Sequence, residues 1–130
     1  MKLDKRVDRI QEPVSECRVL NVLIDSGDAV YTYEGSDLNT IKPSSFDAAD
    51  GIRQVILAKA ALVKATCGND SYGKPREMIC LIKLLPGAHY KSMIDILDEM
   101  EITGTELYSM QEPVAEEINE LKQQRLLAAN

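Results

Sequence analysis

The chain has 130 residues, room for one domain with a single core, and its 45% apolar and 28% charged content is that of a globular protein. Its formal net charge of -6, with basic residues scattered along the chain, argues against a nucleic-acid partner. No apolar run approaches the roughly 20 residues that cross a bilayer, and no apolar signal core follows Met1.

Residues 1–16 read as a charged lead-in whose early apolar members are Leu3, Val7 and Ile10, reset by Pro13. Val19 to Ile24 and Ala29 to Tyr33 are strand-like runs flanking Asp25-Ser26-Gly27-Asp28, which predicts a β-hairpin. Leu20, Val22 and Ile24 share one face of the first strand, and Asn21 breaks the other. Tyr31 and Tyr33 share a face of the second strand and are expected to be packing residues.

Gly35 to Ser45 is expected to be a polar loop. A helix then begins near Phe46 to Gly51, with Ser44, Ser45 or Asp47 as its cap, and stops at Cys67-Gly68-Asn69. Met78 to Leu85, an apolar run interrupted by Lys83, reads as a central strand. Tyr90, Met93, Ile94, Leu97 and Met100 then recur at helical spacing, placing Asp95, Asp98 and Glu99 toward solvent. Gly104 ends this helix, and Thr105 to Met110 is a last strand, parallel to Met78–Leu85 across the helical crossover. Pro113 opens a final helix running to about Leu127, whose thin stripe of Val114, Ile118 and Leu121 predicts loose attachment. The resulting class is α/β (α+β). It is a two-layer sandwich with a mixed sheet of about four to five strands, two core helices on one face and a C-terminal helix.

The sequence holds little chemistry. His89 is a lone loop histidine, and no nucleophile elbow or phosphate-binding glycine loop is present. The carboxylates Asp95, Asp98, Glu99 and Glu101 read as the wet side of a helix rather than a metal site. Cys17, Cys67 and Cys80 have no CxxC spacing and form no evident disulfide framework, although pairing of Cys17 with Cys67 stays open. Cys80, inside the apolar strand, is expected to be a small buried hydrophobe. No catalytic residue, cofactor or metal is therefore expected, and the working hypothesis is contact with other proteins.

Two stretches carry a resemblance. One is Val19 to Gly35 (VLNVLIDSGDAVYTYEG) followed by Gly51-Ile-Arg-Gln-Val-Ile56. The other is Met78-Ile-Cys-Leu-Ile-Lys83, Tyr90-Lys-Ser-Met-Ile-Asp-Ile-Leu-Asp-Glu-Met100 and Ile102-Thr-Gly-Thr-Glu-Leu-Tyr108. Together they resemble the ExbD/TolR family of biopolymer-transport proteins, over roughly residues 17–112, in the domain that lies in the periplasm. The resemblance implies that residues 1–16 link to an inner-membrane anchor and that 113–130 form a tail. It also implies a proton-motive-force-driven complex whose partners are an ExbB-like channel protein, a TonB-like protein and a second copy of the chain. The other reading is a cytosolic regulatory domain of ferredoxin-like layout that binds a small ligand.

Two segments are expected to offer sheet edges to a partner: Val14 to Arg18 before the first strand, and Thr105 to Met110, where Leu107 and Met110 are apolar. The partner-binding candidates are thus Val14, Arg18, Leu107 and Met110, with packing beneath a helix as the alternative role for the last two.

Overall fold

The computed structural model describes residues 16–47 and 51–124. Five strands, β1 (Val19–Ile24), β2 (Val30–Glu34), β3 (Asp37–Ser44), β4 (Ile79–Leu84) and β5 (Tyr108–Gln111), form one sheet in the order β3-β2-β1-β4-β5. The β3-β2-β1 half is antiparallel, whereas β4 runs parallel to β1 and β5 parallel to β4. The helices are α1 (Ile52–Thr66), α2 (Tyr90–Ile102) and α3 (Ala115–Gln123). The fold is the expected α+β two-layer sandwich with a five-strand mixed sheet. Among the described residues, no helix is long and apolar enough to cross a membrane.

Alternation along the strands builds two faces. On the first, Leu20, Val22, Ile24, Val30, Cys80 and Ile82 meet Ile52, Ile56 and Val63 of α1 and Ile96 and Met100 of α2 in one apolar cluster. Each such side chain, fully buried, stabilises the fold by about 1.5–3 kcal/mol. On the second face Leu23, Tyr31, Tyr33, Ile41 and Leu85 gather around Leu121 of α3. Cys80 is buried as expected, and both tyrosines pack.

Three readings of the sequence are corrected. The polar loop at Gly35–Ser45 is strand β3, paired with β2 from Val30↔Ser44 to Glu34↔Asp37 across a register shift. As an edge strand it alternates between solvent and a shallow inner side, so Ile41 is its one fully buried residue. The helix after it starts later than expected, at Ile52, with Gly51 rather than Ser44, Ser45 or Asp47 in the cap position. The backbone folds so tightly there that a Cβ on Gly51 would stand 2.3 Å from the Asp47 carbonyl and 2.4 Å from that of Ser45. Gly51 is thus a position that no larger residue fits.

The third correction concerns α2. Its buried residues are Ser92, Ile96, Glu99 and Met100, while Tyr90 is 74% exposed and Ile94 36% exposed. The inner face is therefore turned by roughly one residue step, ~100°, from the expected stripe. Polar anchors set this rotation. Ser92 Oγ donates to Asp28 in the β1–β2 turn at 2.9 Å, and Glu99 takes a two-pronged contact from Arg53 of α1, Nε–Oε1 2.8 Å and Nη2–Oε2 3.1 Å. Glu99 is consequently an interhelical residue and not part of the wet side.

Cys17 and Cys67 form a disulfide with a Cα–Cα distance of 5.8 Å, tying the 3-10 turn Glu16–Arg18 to the end of α1. The open possibility in the sequence is thereby resolved. Spacing of 50 residues carries no signal for it.

Candidate functional site

The C-terminal edge of the sheet is the first place to look for a contact surface. Cys80 N donates to the Leu107 carbonyl at 2.9 Å. In a parallel ladder this fixes the alternation: Leu107, Ser109 and Gln111 turn their backbone groups toward β4, while Tyr108 and Met110 turn theirs outward. Among the described residues, no further strand lies beyond β5 in the sheet. The side chains are a different matter. Met110 and Tyr108 pack against the first apolar cluster beneath the helices, and Leu107 is half-buried. Any contact at this edge therefore uses the outward backbone of Tyr108 and Met110, and the apolar side chain of Met110 is already occupied.

The opposite edge is built differently. β3 carries Asp37, Lys42 and Pro43, with Pro43 placed opposite Tyr31. Charge, proline and irregular pairing are the devices that keep an edge from recruiting another strand. β5, with the sequence Tyr-Ser-Met-Gln, has none of them.

Of the expected contact segment before β1, the described part leads into the interior of the sheet. β1 is the middle strand, and Arg18 is buried, its Nε donating to the Glu77 carbonyl at 2.9 Å at the approach to β4. Arg18 is an internal tie between the two parallel strands. Val14 lies outside the described residues. His89 is exposed and makes no side-chain cap at the start of α2.

Sequence reading missed the most polar site in the interior. On the second face Lys83 of β4 is buried, and its Nζ donates to Asn21 Oδ1 at 3.1 Å, to Tyr33 OH at 3.4 Å and to Glu117 Oε2 of α3. The Tyr33 hydroxyl donates to the same Glu117 oxygen. The other oxygen, Oε1, accepts the Val114 N–H at 2.8 Å, so Glu117 also caps its own helix. Asn21 completes the set, its Nδ2 donating to the Gly35 carbonyl at 2.8 Å. Burial and the adjacent Glu117 carboxylate hold the Tyr33 hydroxyl protonated, well above the usual tyrosine range. Every buried side-chain polar atom described has a partner, which marks the cluster as a closed structural tie. A lysine inside an apolar strand and an asparagine on the neighbouring one were the available signals, because buried charge requires partners. The partner, Glu117, sits among surface-like residues and could not be named from sequence.

No family model, curated protein or solved structure matches the chain.

Proposed function

We propose that this is a non-catalytic contact domain on the periplasmic side of an inner membrane, part of a proton-motive-force-driven complex of the ExbB–ExbD–TonB type. In this reading a strand from a TonB-like protein or from a second copy adds to the sheet along β5. The observation that carries it is the contrast between the edges: β5 is short, uncharged and free of proline, with the backbone of Tyr108 and Met110 turned outward, while β3 is guarded. Strand addition draws its affinity from such outward main-chain groups. The Cys17–Cys67 disulfide supports a location outside the cytoplasm, where thiols are not kept reduced.

Met110→Pro tests the reading. Proline removes an outward N–H without touching the β4 ladder. The variant is expected to stay folded and to lose cross-linking to a partner in cells, while Met110→Leu keeps both. Cross-linking retained by a folded Met110→Pro protein refutes the edge, and its loss in Met110→Leu shifts the role to side-chain packing.

A further inference from the structure

Two helices do not cover five strands. α1 leaves the first face of β2 and β3 partly open, and a cleft of about 340 Å³ lies between them. That volume is at the lower end of small-molecule sites, about 300–1,000 Å³.

The walls of the cleft are apolar, formed by Leu20 of β1 and by Val55, Ala58 and Leu62 of α1. Leu62 is 49% exposed, although it stands beside a buried core. The charged groups lining the cleft are Lys42, Lys59 and Glu34. Lys59 is 8% exposed, and its ammonium, with three N–H donors, meets a single carboxylate oxygen, Glu34 Oε1, at 2.8 Å. Thr32 is 1% exposed and lines the cleft. Lys42, on the rim, makes no ion pair among the described residues. Two lysines against one glutamate make the cleft locally cationic in a chain whose net charge is -6.

We infer that this cleft binds a small apolar-tailed monocarboxylate, its tail along Val55, Ala58 and Leu62 and its carboxylate between Lys42 and Lys59. An anionic head answers the surplus of lysine charge, which a neutral or cationic head would leave unmatched. The site is distinct from the β5 edge, at the far side of the sheet, and does not depend on the contact function.

Calorimetric titration of the intact chain with decanoate, decanol and decylamine, each below its micellar concentration, tests the inference. Decanoate is expected to bind saturably at one site and at least ten-fold more tightly than either analogue. Lys42→Glu, a change on an exposed edge residue, is expected to weaken decanoate at least ten-fold. Ala58→Trp, which fills the cleft from the helix surface, is expected to abolish binding with the circular dichroism spectrum retained. Absence of saturable decanoate binding, equal binding of decylamine, or unchanged affinity in Lys42→Glu overturns the proposal. Should Ala58→Trp fail to fold, the Lys42→Glu result alone decides.

Discussion

The two faces of the sheet are held by different physics. The first is a dry apolar cluster under α1 and α2, assembled from many interchangeable contacts. The second is covered by one nine-residue helix, α3, whose grip depends on Leu121 and on Glu117, the latter bound to Lys83, Tyr33 and its own N-terminus. An apolar face loses stability in proportion to what is removed. A closed polar cluster fails at once when one member goes, because the charge left behind is buried without a partner.

Glu117→Gln is therefore expected to have the largest effect, about 3–5 kcal/mol in urea unfolding, the range for breaking a buried pair from one side. The double variant Lys83→Met/Glu117→Leu is expected to recover a large part of that loss. A loss below about 1 kcal/mol for Glu117→Gln would place the cluster in contact with water and erase the contrast. For the same reason, deletion of residues 116–130 is expected to lower the melting temperature clearly. The thin stripe of the last helix predicted an indifferent tail, and the buried Glu117 and Leu121 correct that.

On the first face, Ile96→Ala is expected to cost about 2–5 kcal/mol as a large-to-small change in a packed core. Ile94→Ala, on the more exposed side of α2, is expected to cost well under 1 kcal/mol. A larger loss at Ile94 than at Ile96 would show that the helix is rotated as its stripe implies.

The smallest effect is in the alkaline range. Tyr33 and Cys80 both have raised ionisation, Cys80 up to about 12 through burial. The unfolded chain gives up these protons first, at about pH 8.5 for cysteine and about 10 for tyrosine. Their contribution is therefore full below those values and declines as pH rises through them. Cys80→Ala should flatten the decline from about pH 8.5 upward, and Tyr33→Phe the part above about pH 10. A decline identical to that of the unaltered chain in both variants would assign it elsewhere.

What the sequence disclosed follows the same division. The hairpin, the central strand, the α2 segment and the parallel crossover were legible because burial of one face imprints a period on the chain. The rotation of α2 was not, since Ser92 and Glu99 are polar residues facing inward and their partners, Asp28 and Arg53, lie far away in sequence. β3 was hidden because an edge strand needs few apolar residues, and Asp37, Lys42 and Pro43 read as loop. Of the candidate contact segments, the β5 edge was legible from its position after the last crossover. The central place of β1, which removes Arg18 from any edge, emerges only from the pairing of strands distant in sequence.

Residue-resolved hydrogen exchange, comparing the isolated domain with the domain in its assembled complex, tests the contact reading most directly. New protection is expected at the amides of Tyr108 and Met110, with β3 amides unchanged. Protection gained along β3 instead, or no change at Tyr108 and Met110 on assembly, would contradict it.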